Sequence, residues 1–164
     1  MKLKYFLLIV VALTALWGCA TSYKSKGFTG GFSELQLAPD VFRVTFNGNA
    51  YTSGERAQDF AMLRAAELAL QNGFGYFAIV DAHNTVRTES FTTPGQATST
   101  GTLSVYGNQA YYSGQSTYTP GQTTTFFKPK TGMVVQCFRT KPDGINAFDA
   151  AFLQQSVKQA YNIK

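Results

Sequence analysis

Asp81 and His83 stand two residues apart, a spacing that in a strand puts a carboxylate and an imidazole on one face. A carboxylate placed so can orient the ring, and the ring could then take a proton from a hydroxyl. The chain has many Ser and Thr residues but none singled out by position, and neither G-x-S-x-G nor H-E-x-x-H occurs. The pair therefore reads as a polar pair at a strand end, and no catalytic residue is assigned. One histidine and two cysteines cannot build a zinc site without scattered carboxylates, so neither a metal nor a cofactor is expected. The second constellation is cationic. Arg56, Arg64 and Glu67 share one side of a helical pattern, with Arg64 and Glu67 three residues apart and able to pair. Arg43, on a preceding strand-like run, could join them. Such a group can recognise a carboxylate on a glycan, a peptide or a protein partner; its plainer reading is a solvated helix face with routine ion pairs. Cys137, inside M-V-V-Q-C-F, reads as a buried structural thiol.

The other cysteine, Cys19, closes L-W-G-C-A at residues 16–20. Lys2 and Lys4 precede an uncharged run from Tyr5 to Trp17. Thirteen helical residues reach about 20 Å, short of a bilayer core of roughly 30 Å, but they have the length and flanks of a secretory signal. Leu16 and Gly18 before Cys19 are similar to the bacterial lipobox. That resemblance implies a signal peptide of residues 1–18, a diacylglyceryl group on Cys19, and N-acylation of the new terminus. Several acyl chains exceed the two signals that stable anchoring requires. The alternative is a plain signal peptide or a buried N-terminal helix with a chance cysteine. Ala20, where Asp would retain the protein, favours the outer membrane by similarity to enterobacterial sorting rules.

Elements that would position these residues follow from patterning. Residues 19–32 carry little to pack and read as a lipidated N-terminus and flexible tether with a reach of about 20 Å. Val41–Phe46 alternates as a half-buried strand. Thr52-Ser53-Gly54-Glu55 reads as a capping box opening a helix over 53–72, stopped by Gly73. Its Ala57, Ala61, Ala65, Leu68 and Ala69 side suits close approach to a sheet. Tyr76–Val80 follows as a strand, parallel to the first if the two share a sheet. Residues 85–125 are rich in Thr, Ser, Gln, Gly and Tyr, with T-P-G-Q at 93–96 and again at 119–122. Weak alternation around Gly107-Asn108 is compatible with a hairpin and equally with a mobile loop. Met133–Phe138 is the last strand, and 145–161 a helix with Asp143 as cap and two apolar seams. The expected fold is α+β: a small mixed sheet with a strand–helix–strand core, one long helix on the sheet, the Thr/Ser-rich insertion, and a C-terminal helix. One domain spans 33–164.

The stretch from Gln36 to Leu68, with Y-T-S-x-E-R-A at the helix start, the Y-F-x-I-V strand, the Thr/Ser-rich middle and the late C-F strand, resembles a family of small bacterial envelope lipoproteins of unknown function. The resemblance carries no activity and assigns no site. The formal charge of +5 falls to +3 without Lys2 and Lys4, and no basic stripe points to nucleic acid. The expectation is a non-enzymatic lipoprotein held through Cys19 at the periplasmic face of the outer membrane. It would act as a protein-interaction or structural module, an accessory subunit of an envelope assembly with a protein partner. The alternative is binding of a cell-wall glycan or peptide through Arg43, Arg56, Arg64 and Glu67.

Overall fold

The structure is a computed structural model and describes residues 19–164. The expected signal peptide, 1–18, lies outside the described residues. The elements run β1 Gly31–Ala38, β2 Val41–Asn47, α1 Gly54–Gln71, β3 Tyr76–Thr92, β4 Gln96–Tyr106, β5 Gln109–Thr119, β6 Thr123–Phe138, β7 Phe148–Asp149 and α2 Ala150–Tyr161. The fold is α+β with a mostly antiparallel sheet. Two compact units divide the chain. One comprises the residues through Arg87 together with Phe127–Lys164, and the other Thr88–Phe126, so the insertion stands as a unit of its own.

In the first unit the sheet order is β1-β2-β6-β3-β7. β2 pairs antiparallel with β6, Phe42 opposite Val135 and Val44 opposite Met133. Contacts between β3 and β6 also run in opposite senses: Gly75 N–H donates to the Phe138 carbonyl, while Thr85 lies by Lys130. The two strands expected to be parallel thus point the same way, but β6 lies between them. The late strand fills the gap because its Met133, Val135 and Cys137 complete the apolar face begun by Phe42, Val44 and Phe46. Ala57, Ala61, Ala65 and Ala69 of α1 are wholly buried. Small side chains at a four-residue spacing let the helix lie close on that face. Phe60 fills the remaining space, its ring edge-on to Phe46 and Tyr161.

The helix begins one residue later than its expected start. Ser53 is the N-cap and its Oγ accepts from Arg56 N–H at 3.1 Å, whereas Thr52 serves elsewhere: its Oγ1 accepts from Thr21 N–H at 3.0 Å. The C-terminal helix also starts later than expected, at Ala150 with Asp149 as cap. Phe148 and Asp149 pair with β3 instead. Of the two apolar seams, Leu153, Val157 and Tyr161 pack on the core, and Phe152 faces solvent.

The segment expected to be a tether is docked. Thr21 is 3% exposed, and Tyr23 packs its ring on Phe32 and Phe60. The Cys19 carbonyl accepts from Asn49 Nδ2 at 2.6 Å. Polar composition concealed this because the anchors are a threonine and a tyrosine: Thr21 bonds to the α1 entry loop, and the Tyr23 hydroxyl donates to Glu67 within α1. Two glycines permit the bend. Gly30 and Gly31 have φ of 101° and 124°, and a Cβ at Gly30 would collide with the Asn47 carbonyl. Strain and collision together make Gly30→Ala expected to cost about 2 kcal/mol or more. The readout is trypsin cleavage after Lys24 and Lys26, at least tenfold faster in the variant; equal rates would contradict the docking.

The second unit is a two-stranded ribbon. β4 and β5 pair antiparallel across the two-residue turn Gly107-Asn108, from Tyr106 opposite Gln109 to Gln96 opposite Thr119. Gly107 has φ of 60°, as such a turn requires of its first central residue. The two T-P-G-Q stretches face each other: Thr93 N–H donates to the Gln122 carbonyl at 2.9 Å, and Gln122 N–H to Thr93 Oγ1 at 3.0 Å. Proline has no N–H to donate, so the ladder is interrupted there on both strands.

Candidate functional site

The residues singled out in the sequence do not form one site. Arg43 is exposed between the buried Phe42 and Val44, so it projects from the sheet face opposite α1. Arg56 lies over the rings of Phe60 and Tyr161, at 5.0 and 5.3 Å from their centroids, in cation–π geometry. Arg64 is engaged internally. Its Nη2–H donates to Glu34 Oε1 at 2.9 Å, its Nε–H to Glu34 Oε2 at 3.3 Å, and its Nη1–H to Glu67 Oε2 at 3.0 Å. The same guanidinium covers the Phe32 ring at 4.6 Å. Burial alone would disfavour its charge, but the bonds to Glu34 and Glu67 outweigh burial and hold it firmly protonated. Glu67 also accepts from the Tyr23 hydroxyl and pairs with Lys158 at 3.6 Å. Burial and that bond raise the Tyr23 phenol well above its ordinary range. The cluster joins β1, α1, α2 and the N-terminal segment as a clasp, with the Arg64 guanidinium engaged by Glu34 and Glu67.

Asp81 and His83 do share a face, but Nδ1 and Oδ2 are 3.9 Å apart and both side chains are exposed. That separation is beyond hydrogen-bond range. The His83 ring lies over Gly132, where a Cβ would meet Nε2 at 2.7 Å.

Folding instead builds a basic cleft that the linear spacing hides. Lys26, Arg87, Lys128 and Lys130, with Asn47, Gly48 and Thr85, line a cleft of about 430 Å³. It continues into a depression that includes Gly27–Gly30 and Asn49. The amide nitrogen of Asn47 is buried there with no acceptor among the described residues. The positive excess, read as unclustered in the sequence, is thus partly gathered at one end of the first unit. Gly48 keeps the loop against β6, donating to the Pro129 carbonyl at 2.8 Å. Cationic and amide donors suit an anionic, oxygen-bearing group. Among the described residues no cluster of three or more His, Cys, Asp or Glu could hold a metal ion.

Cys137 is 2% exposed, and Cys19 is exposed. Burial, with help from the Asp40 carboxylate, pushes the Cys137 thiol up to about 11. Burial and the bond to Asp59 push Tyr161 up to about 12. Both groups ionise earlier in the unfolded chain, so stability is whole below pH 9 and falls as pH rises toward 11 and 12. Denaturant melts at pH 8 and pH 10.5 are expected to show the loss, smaller in Cys137→Ala when each form is compared with itself. A flat profile for the native chain would contradict burial of the thiol.

No helix among the described residues is long and apolar enough to cross a membrane. No family model, curated protein or solved structure matches this chain. The class that the fold defines is an α+β core carrying a separate two-stranded ribbon.

Proposed function

We propose that the chain is a lipid-anchored envelope lipoprotein, held through Cys19 at the periplasmic face of the outer membrane and acting as an interaction module rather than an enzyme. The ribbon is the observation that carries the interaction reading. Every residue of β4 and β5 is exposed except the half-buried Ser104. A two-stranded ribbon is marginal alone in water, and each of its outer edges offers unpaired N–H and carbonyl groups. Natural edges are guarded by charge, yet no charged residue occurs from Ser90 to Phe127. Such an edge is built to be covered. The docked N-terminus supports the anchor: Asn49 grips the Cys19 carbonyl, so a lipid there would hold the folded unit directly against the bilayer. Photo-crosslinking from Thr100 and Gln115 in intact cells should recover a discrete protein neighbour. Recovery of lipid and bulk porin alone would count against the reading.

A second reading, binding of an acidic cell-wall glycan or peptide, moves from the arginine cluster to the basic cleft, on the strength of its cations and the unpaired Asn47 amide. Purified sacculi should retain the protein, and Lys130→Glu should release it; retention unaffected by Lys130→Glu would exclude the cleft.

A further inference from the structure

The register of the ribbon sorts its side chains into two unlike faces. One face carries Ala97, Leu103 and Val105 opposite Tyr118, Tyr112 and Ala110, with Ser99–Ser116 and Gly101–Gly114 between. Its serines satisfy each other at 2.8 Å, and the Tyr112 ring lies over both glycines. The other face is polar throughout: Thr98, Thr100, Thr102 and Ser104 stand opposite Thr117, Gln115, Ser113 and Tyr111. Among the described residues nothing covers the first face, and Leu103 and Val105 are 64% and 63% exposed.

An apolar–polar alternation over two strands of 11 residues, interrupted on the apolar face by the Ser99–Ser116 and Gly101–Gly114 pairs, is similar to the pattern of a strand pair in a membrane barrel. Eleven residues extend about 37 Å and, at a tilt of about 45°, cover roughly 26 Å of bilayer thickness. On the apolar face Tyr112 lies toward the tip and Tyr118 near the base, with no aromatic between them, while Tyr106 and Tyr111 stand on the polar face. Interfacial aromatics of a barrel are distributed in this way. The leading end is only Gly107-Asn108, so insertion carries no charge through the hydrocarbon. Arg87 and Lys128, at the ends of the first unit's chain segments, line the same depression as Asn49, which holds Cys19.

We infer that copies of this chain assemble with their ribbons side by side as an oligomeric transmembrane β-barrel, apolar faces toward lipid and Thr/Ser/Gln faces toward an aqueous lumen. The inference rests on the envelope reading above. A lone ribbon cannot span, because hydrocarbon leaves its edges unsatisfied; β4 of one copy must pair with β5 of the next until the ring closes. Eight strands fill their own interior and about sixteen leave an open lumen, so about eight copies are required. The absence of a spanning helix among the described residues has no bearing on strands.

The test delivers full-length mature protein, purified from membranes in detergent, to dye-loaded vesicles of phosphatidylethanolamine and phosphatidylglycerol by detergent dilution. Dye release, stepwise conductance in a planar bilayer and a detergent-stable oligomer are expected. Leu103→Asp and Val105→Asp, on the lipid face, should reduce release at least tenfold with the thermal melt of the core unchanged. Thr100→Lys and Thr102→Lys, on the lumen face, should still release dye and shift ion selectivity toward anions. Sealed vesicles with monomeric protein, oligomers that hold the dye in, or release unaffected by Leu103→Asp would each overturn the inference. Detergent delivery does not need the acyl chains, so the two readings fail separately. Unacylated protein that leaks refutes only the anchor, and acylated protein that does not leak refutes only the barrel.

Discussion

Arg64→Ala is expected to lower the free energy of unfolding by about 3 kcal/mol, because removing one member of a largely buried ionic cluster leaves its partners uncompensated. The Arg64 side chain is 14% exposed and that of Glu67 is 12% exposed, with Glu34 more open at 33%. The loss has three parts: the forked bonds to Glu34, the single bond to Glu67, and the contact with the Phe32 ring. At roughly 3 °C per kcal/mol for a chain of this size, the midpoint of thermal unfolding should drop by about 10 °C. Arg64→Lys should recover less than half of that, since an ammonium cannot reproduce the planar fork. Because the same cluster holds Tyr23, hydrogen exchange in residues 20–26 should rise in step. A ligand-binding arginine would behave differently: the variant would melt normally and lose only its ligand. A midpoint within 2 °C of the native value would restore Arg64 to the list of binding residues.

Phe60→Ala should cost more, about 4 kcal/mol, the usual range for deleting a buried aromatic ring. Phe60 is 1% exposed and its ring meets Tyr23, Phe46 and Tyr161 edge-on, at centroid distances of 5.5, 5.2 and 5.0 Å. One side chain therefore joins the N-terminal segment, the sheet and α2, and its loss should loosen all three. The measurement is a thermal melt with hydrogen exchange over 150–161, where protection should fall first. Phe152→Ala, on the same helix as Tyr161 but 71% exposed, is the control and should shift stability by less than about 0.5 kcal/mol. Equal effects of the two substitutions would mean that α2 docks through its other seam.

What the sequence made legible was governed by local patterning. Ala57, Ala61, Ala65 and Ala69 announced a helix lying close on a sheet, and Ser53 and Gly73 mark its ends within a residue or two. The alternation around Gly107-Asn108 contained the hairpin, although composition alone could not separate it from a loop, because few of its side chains are large and apolar. β1 was missed for a physical reason. Its alternation is inverted, with Glu34 on the side that meets Arg64 while Leu35 and Leu37 stay exposed. The N-terminal segment was misread because its anchors, Thr21 and Tyr23, act through partners 31 and 44 residues away. The basic cleft drew on residues 26, 47, 87 and 128, which no linear window joins. Arg64 and Glu67 were correctly paired by spacing, but only the fold could supply Glu34 as the third partner that turns a surface pair into a clasp.

The proposed anchoring through Cys19 organises the functional account, and it can be tested directly. Cells expressing the full chain would be fed an alkyne fatty acid, and the purified protein would be subjected to intact-mass and N-terminal peptide analysis. The expected product begins at Cys19, carries a diacylglyceryl thioether and an amide-linked acyl chain, takes the label, and loses it in Cys19→Ala. An unlabelled protein that retains residues 1–18, or one cleaved at another position with Cys19 unmodified, would contradict the account.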